Sequence, residues 1–165
     1  MNQELIAVVD ENDQFIDNQP RNKVHQLGLR HRAVHILVFN DQQQLFLQKR
    51  SLSKDINAGL WDTSAAGHVD AGETYDVCAH RETIEELGVC VDATLSFLFK
   101  LPAHPQTGME FVQVYRSMHN GPFTLEEGEI DGGQWVDIKE ISHRVADNDL
   151  TLTDTFKSLW QQFEE

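Results

Sequence analysis

The chain has few cysteines, no long apolar run and few basic residues, and each shortage argues against a class of protein. The two thiols, Cys78 and Cys90, lack the spacing of a metal site, so we expect reduced, packed thiols instead of a disulfide. No run of about 18 apolar residues is present, which excludes a transmembrane helix. The first residues, Met-Asn-Gln-Glu, do not read as a signal peptide, so we expect a cytoplasmic protein.

Acidic residues greatly outnumber basic ones. The chain contains 13 Lys and Arg against 27 Asp and Glu, for a formal net charge of -14. A field of this sign opposes nucleic acid and anionic membranes, so neither is an expected partner. An anionic small-molecule substrate would have to be recruited locally, by a metal ion and a few basic side chains.

The length and patterning predict one α/β domain over residues 1–165. Helical spacing covers 75–87 and the last segment, and strand-like runs cover 5–9, 33–39, 45–49, 95–101, 111–115 and 134–136. Asn40 and Asp41 predict a hairpin turn, and Gly132-Gly133 predicts a tight connection. A mixed sheet with helices before and after it fits a three-layer α/β/α sandwich. The sequence allows a homodimer.

One segment, from Gly67 to Val89, carries the pattern G-x5-E-x7-R-E-x2-E-E-x-G followed by an aliphatic residue. On a helix, this spacing places three carboxylates in one arc (Glu82, Glu85, Glu86) and three apolar residues opposite it (Val77, Ile84, Leu87). We therefore predict that the apolar face is buried and that the acidic face binds cations. Mg²⁺ fits best, because it prefers carboxylates together with substrate phosphates.

The segment 67–89 resembles the Nudix box, the signature of Mg²⁺-dependent enzymes that cleave pyrophosphate bonds. The resemblance implies the Nudix α/β/α sandwich with a mixed sheet, and Mg²⁺ as cofactor with Mn²⁺ as a substitute. It also implies metal ligands at Glu82, Glu85 and Glu86, and structural support from Gly67, Glu73, Arg81 and Gly88. Thr83 departs from the pattern, since the family usually carries an aliphatic residue there. The alternative interpretation is a solvated, charge-rich amphipathic helix.

Upstream motifs, such as His31-Arg-Ala-Val-His35 and Gly59-Leu-Trp-Asp-Thr-Ser-Ala-Ala-Gly-His68, resemble the isopentenyl-diphosphate isomerase-like branch of the superfamily. That branch contains isomerases and hydrolases. The isomerases carry a catalytic Cys immediately before the box glycine, where this chain has Ala66, and a methyl group cannot transfer a proton. The resemblance also implies a candidate second metal site at His25, His31 and His68.

Several further side chains are candidates with a structural alternative. Catalytic roles are assigned to Glu82, Glu85 and Glu110, and the run 126–129 is another source of a general base unless it is only a solvated surface. Lys49 and Arg50 could hold phosphate oxygens or merely end a strand in water, and Arg30 and Arg32 carry the same ambiguity. Trp61 and Tyr115 could stack on a substrate or pack in the core.

Three functions follow, in order of preference. The first is a Mg²⁺-dependent pyrophosphohydrolase acting on a nucleoside diphosphate derivative or a related organic pyrophosphate. The second is an isopentenyl-diphosphate isomerase, which Ala66 opposes. The third is a binding module that keeps the fold without catalysis, which the intact carboxylates oppose.

Overall fold

The computed structural model describes residues 4–91 and 93–165 and centres on a nine-stranded sheet. The strands are β1 Leu5–Val9, β2 Phe15–Pro20, β3 His31–Phe39, β4 Gln44–Arg50, β5 Trp61–Asp62, β6 Ala65–His68, β7 Ser96–Leu101, β8 Glu110–Met118 and β9 Ile130–Asp137. The α-helices are α1 Arg21–Leu27, α2 Tyr75–Leu87, α3 Ile138–Ala146 and α4 Asp154–Phe163. A short 3-10 helix covers Pro105–Thr107.

Strand β3 is the centre of the sheet. It pairs in parallel with β8 over its whole length, and antiparallel with β1, β4 and β6. Strand β4 pairs antiparallel with β5 and β9, β1 pairs antiparallel with β2, and β7 pairs antiparallel with β8. The predicted mixed sheet is therefore confirmed.

Two apolar cores cover the two faces of the sheet. Helices α3 and α4 bury Ile141, Phe156 and Trp160 against one face, in a cluster that includes Leu37 and Leu47. Helix α2 buries Cys78, Ala79 and Leu87 against the other, in a cluster with Val34 and Ile36. The α/β/α layering predicted from the sequence is confirmed, as is the buried stripe of the last helix.

The predicted orientation of α2 is correct for Leu87, which is buried, but wrong for Val77 and Ile84. Val77 and Ile84 are 56% and 51% exposed, whereas Glu82 and Glu86 are only 8% and 6% exposed. The helix packs through small residues, Cys78, Ala79 and Thr83, which share its inward face with the two carboxylates. Helical spacing predicts that apolar residues face inward and carboxylates face outward, and Val77, Ile84, Glu82 and Glu86 do not follow that pattern.

Other local predictions have mixed outcomes. The hairpin turn forms, because the Asn40 side chain accepts hydrogen bonds from the backbone N–H groups of Gln42 and Gln44. The tight connection at Gly132-Gly133 does not form, because both residues lie inside β9 and pair with β4. Six elements were not predicted, namely the strands β2, β5 and β6, the helices α1 and α3, and the short 3-10 helix. Among the described residues, no helix is both long and apolar enough to cross a bilayer.

The two adjacent glycines of β9 allow a matched test of packing. A Cβ atom at Gly133 would lie 2.0 Å from Cζ of Phe46, whereas one at Gly132 would meet nothing within 4 Å. We therefore expect Gly133→Ala to lower the free energy of unfolding by about 1–3 kcal/mol through overpacking. Gly132→Ala should change it by less than about 0.5 kcal/mol. Urea unfolding measures both, and equal losses would contradict this packing.

Candidate metal and phosphate site

A cleft of about 610 Å³ opens on the sheet where β3, β4 and β6 approach α1 and α2. Its lining is mostly polar and includes nine acidic residues. Six of them are Glu82, Glu85 and Glu86 from α2, Glu110 from β8, and Glu126 and Glu129 from the segment before β9, and the other three are Glu4, Asp62 and Asp154. These residues come from separate parts of the chain, so the fold brings them together.

Two of these carboxylates are buried one helical turn apart. Glu86 accepts hydrogen bonds from the backbone N–H of Ala66 at 2.9 Å and from Nε2 of Gln48 at 3.1 Å. Burial raises the pKa of Glu86 well above its ordinary value, and the neighbouring Glu82 raises it further. Burial also raises the pKa of Glu82 to about 8, against the lowering effect of Arg81. The pair resists ionisation unless positive charge is nearby.

Gly67 makes room for one of them. A Cβ atom at Gly67 would lie 2.1 Å from Cδ of Glu82. The absence of a side chain on β6 therefore lets the Glu82 carboxyl group lie directly against the strand, in the cleft. At the other end of α2, Gly88 has a φ of 69° and ends the helix in a left-handed conformation.

Arg81 links the box loop to the helix. Its guanidinium donates to both carboxylate oxygens of Glu73, at 2.7 and 2.9 Å, which is the pairing that the sequence resemblance implied. It also donates to Glu82 at 2.8 Å, to Glu85 at 3.1 Å and to the carbonyl of His68 at 3.2 Å. Glu85 is exposed, so this pairing is its main contact with the protein.

A second group of carboxylates joins the first from the segment before β9. Oxygen atoms of Glu86, Glu126 and Glu129 lie within 4.8 Å of one another. The backbone N–H of Glu126 donates to the carbonyl of Glu86 at 3.1 Å, which fixes the segment against α2. Glu127 is exposed and does not line the cleft. The solvated interpretation of the run 126–129 fits Glu127, whereas Glu126 and Glu129 are half-buried and line the cleft.

Three histidines form a separate cluster. Ligand atoms of His25, His31 and His68 lie within 4.8 Å of one another, and the ring centroids are 5.1–5.5 Å apart. Nδ1 of His25 is buried without a hydrogen-bond partner among the described residues. Burial lowers the pKa of His25 to about 4, and the neighbouring His68 lowers it further. A neutral imidazole of this kind is suited to bind a metal ion.

Glu110 completes this cluster. One of its oxygens lies 3.2 Å from Nε2 of His31 and 2.9 Å from Nε2 of His68. Burial would raise the pKa of Glu110, but its contacts with His31 and His68 outweigh burial and hold it well below its ordinary value. Nδ1 of His31 donates to the carbonyl of Leu29 at 2.8 Å, so in the neutral ring the unprotonated Nε2 faces the cluster.

Basic side chains line the cleft beside the carboxylates. Arg50 does so, and its guanidinium donates to the carbonyl of Ile56. Arg21 and Lys54 also line it, although no sequence pattern marked either of them as a phosphate ligand. Arg21 donates to both oxygens of Asp55, and Lys54 pairs with Glu129.

The other basic candidates lie elsewhere. Lys49 does not line the cleft, because successive side chains of a strand point to opposite faces and Gln48 and Arg50 occupy the cleft side. Arg32 donates to Asp13, away from the cleft. Arg30 is exposed and also lies outside the lining.

The two aromatic candidates serve the structure. Tyr115 is buried in the core beneath α2, and its hydroxyl donates to Asp76 at 2.6 Å. Trp61 packs against the core on the α4 side of the sheet. Neither residue lines the cleft.

Comparisons with known proteins agree on one family. A NUDIX domain family model matches residues 29–156. The chain is 31% identical over 159 residues to an isopentenyl-diphosphate Delta-isomerase of Serratia proteamaculans, covering 94% of this chain and 89% of the relative. It is 37% identical over 137 residues to an uncharacterized Nudix hydrolase of Pseudomonas aeruginosa, covering 81% and 78%. The crystal structure of DR0079 from Deinococcus radiodurans superposes with a TM-score of 0.84, at 28% identity, covering 96% and 98%.

The raised pKa of Glu82 predicts how stability depends on pH without metal. Because its folded-state pKa is about 8 and its ordinary value is 4.5, ionising Glu82 between these pH values opposes folding. Glu82→Gln cannot ionise and still accepts from Arg81. In EDTA we expect this variant to match the wild type at pH 5 and to exceed it at pH 8 by roughly 1–3 kcal/mol.

Urea unfolding at both pH values measures this difference. Glu85→Gln is the control, because it removes an exposed carboxylate on the same helix that contacts the same arginine. If the free energy of unfolding of Glu82→Gln does not rise relative to the wild type between pH 5 and pH 8, the pKa of Glu82 is not raised in the folded protein.

Proposed function

The chain belongs to the NUDIX family, and from that membership we propose that it is a Mg²⁺-dependent hydrolase of an organic pyrophosphate. The observation that carries the proposal is the convergence of buried carboxylates and basic side chains in one cleft. Glu82 and Glu86 lie there with Glu126 and Glu129, beside Arg50. This arrangement suits a diphosphate in two ways. The carboxylates would bind a cation that contacts the diphosphate oxygens, and the guanidinium groups would bind those oxygens directly.

The residues present fit a hard divalent cation. Glu86, Glu126 and Glu129 offer oxygen atoms within 4.8 Å of one another, and oxygen is the donor that Mg²⁺ requires. Burial also raises the pKa of Glu86, which a cation would reverse. Glu86, Glu126 and Glu129 would hold the ion, with Glu82 adjacent to them. Bound Mg²⁺ would supply Lewis acidity and neutralise charge on the diphosphate.

Basic side chains would bind the phosphate groups. Arg50 ends β4, Lys54 lies in the loop that follows it, and Arg21 begins α1 and contacts Asp55 of the same loop. Arg21, Arg50 and Lys54 are now held by acceptors of the protein itself, and substrate oxygens would replace those acceptors. Arg81 is a positioning residue, because it holds Glu73 and Glu82 at the edge of the site.

Among the carboxylates assigned to catalysis, Glu82 is best suited to accept the proton of water. It is buried in the cleft, and a cation bound beside it would lower its raised pKa and leave an ionised carboxylate that can accept the proton. Glu85 is exposed and paired with Arg81. Glu110 is held by two histidines that hold its pKa low, which makes it a poor base.

We also propose a second cation at the histidine cluster. His25 has an unpartnered buried nitrogen, and His31 is oriented by its hydrogen bond to the Leu29 carbonyl. Nitrogen donors favour a transition metal such as Zn²⁺ or Mn²⁺ over Mg²⁺. Glu110 and His68 would complete the ligand set.

Isomerisation of isopentenyl diphosphate is the second candidate, because the Serratia relative and others carry that name. The site opposes it. Ala66 lines the cleft at the position of the expected cysteine. Cys78 is buried in the core beneath α2, where it donates to the His68 carbonyl, and burial raises the pKa of its thiol. Cys90 is exposed and lies outside the cleft lining.

Product analysis tests the proposed reaction. We expect ³¹P NMR to show phosphate release from organic pyrophosphates in Mg²⁺, reduced roughly a hundredfold or more in Glu86→Gln because a group that stabilises the transition state is lost. Glu127→Gln should stay near the wild-type rate, since its exposed side chain lies in the same segment but outside the cleft.

Isopentenyl diphosphate converted to dimethylallyl diphosphate without phosphate release would instead establish the isomerase. Metal and ligand binding without any turnover would establish a binding module.

Metal binding is a separate expectation. Mg²⁺ at one hundred times its Kd should stabilise the fold by about 2.7 kcal/mol, which raises the melting temperature by roughly 5–10 °C. We expect Glu129→Gln to lose most of this shift and Glu127→Gln to keep it. Differential scanning calorimetry measures both, and equal shifts in the two variants would exclude the segment before β9 from the metal site.

A further inference from the structure

In addition to its acidic and basic groups, the cleft is lined by other hydrogen-bonding side chains. They include the imidazole of His35, the amides of Asn57 and Gln106, and the hydroxyl of Thr155. Within the described residues, no Phe, Tyr or Trp lines the cleft, and the apolar side chains in the lining are Ala33, Ile56, Ala66 and Pro105. The cleft therefore lacks both a large aromatic ring on which a nucleobase could stack and a continuous apolar channel for a prenyl chain.

His35 is held in one orientation by a buried polar chain. Its Nδ1 lies 2.8 Å from Oγ1 of Thr63 and 3.7 Å from Oδ1 of Asp62. The Asp62 oxygen also accepts from the backbone N–H of Thr63 at 2.7 Å and from the hydroxyl of Thr153 at 3.2 Å. His35, Asp62, Thr63 and Thr153 are all buried, so this chain is part of the fixed framework.

The same contacts determine which nitrogen of His35 carries the proton. The Thr63 hydroxyl has one hydrogen, which it donates to the carbonyl of Ala65 at 3.2 Å. Oγ1 of Thr63 must then accept from Nδ1 of His35. In the neutral ring this leaves Nε2 unprotonated, and no group among the described residues donates to it. His35 thus presents a fixed hydrogen-bond acceptor to the cleft.

Further groups of the same kind come from the 3-10 helix and α4. Gln106 belongs to the 3-10 helix and Thr155 to the first turn of α4, and the Thr155 hydroxyl donates to the Gln106 carbonyl at 3.3 Å. The Gln106 side chain is exposed. Amide, hydroxyl and imidazole groups in one cleft match a ligand that carries several hydroxyl groups.

We propose that the organic group of the substrate is a polyhydroxylated sugar or polyol, and that Nε2 of His35 accepts a hydrogen bond from one of its hydroxyl groups. This inference rests on the proposed function for the position of the diphosphate, and it assigns what the diphosphate is attached to. A nucleobase, where one is attached, would lie in solvent and would not be read.

Three ligands test whether the site recognises hydroxyl groups, an alkyl chain or a nucleobase. Ribose 5-diphosphate and n-pentyl diphosphate have the same number of carbons and differ in their hydroxyl groups, whereas ADP adds a base to the ribose diphosphate. Analogues with a methylene group between the phosphorus atoms resist hydrolysis, so calorimetry with Mg²⁺ can measure binding to the wild-type protein.

We expect the ribose analogue to bind at least tenfold more tightly than the pentyl analogue, because a site built for a hydroxyl rejects a ligand without one. The ADP analogue should bind within threefold of the ribose analogue. A pentyl analogue that binds as well as the ribose analogue, or a base that improves binding more than tenfold, overturns the proposal.

Variants of His35 and Thr63 test which side chain is responsible for the preference for the ribose analogue over the pentyl analogue. In His35→Ala the tenfold preference for ribose over pentyl should fall to within threefold, whereas an unchanged preference would exclude His35 as the reader. Since His35 is buried, Thr63→Val serves as a second variant that keeps the shape of the side chain and removes the hydroxyl that orients the ring. It should lower the preference in the same direction, with the melting temperature of each variant recorded.

Turnover of ribose 5-diphosphate distinguishes this inference from the proposed function. Selective binding of the ribose analogue without hydrolysis of ribose 5-diphosphate would reject the hydrolase and leave the recognition of hydroxyl groups standing. Hydrolysis with no preference for the hydroxylated ligand would do the reverse. Failure of every analogue to bind would overturn both.

Discussion

The structure depends on one electrostatic constraint, the burial of Glu82 and Glu86 beside each other on the inward face of α2. Burial raises the pKa of both groups. Glu82 raises the pKa of Glu86 further, and Glu85 raises that of Glu82. Two such groups ionise together only when positive charge compensates them. A metal ion in the cleft is the simplest source of that charge, so stability and function are linked at the same two side chains.

The surrounding fold keeps this pair in place. The backbone N–H of Ala66 and the amide of Gln48 bind Glu86, and the missing side chain of Gly67 leaves space for Glu82. Small residues of α2 allow the helix to approach the sheet closely enough for these contacts. The charge of Arg81 lies at the edge, where it orients Glu82 without closing the cleft.

Sequence reasoning succeeded where many positions agreed. The layers and the mixed sheet followed from the pattern of strands and helices along the chain. The loop between β6 and α2 followed from the motif of residues 67–89, in which Arg81 pairs with Glu73. It failed on the orientation of α2, since a hydrophobic pattern cannot show that buried carboxylates accept hydrogen bonds from Gln48, Ala66 and Arg81. It did not single out Arg21 or Lys54 and did not place Glu126 and Glu129 beside Glu86, because their proximity depends on loop paths that no local pattern specifies.

A crystal structure of the protein with Mn²⁺, in which anomalous scattering locates the ion, tests directly whether a cation binds at the buried carboxylates. We expect an anomalous peak coordinated by Glu86 together with Glu126 or Glu129, next to Glu82. A well-ordered crystal with Mn²⁺ in excess and no peak among these carboxylates would contradict it, whatever occupies the histidine cluster.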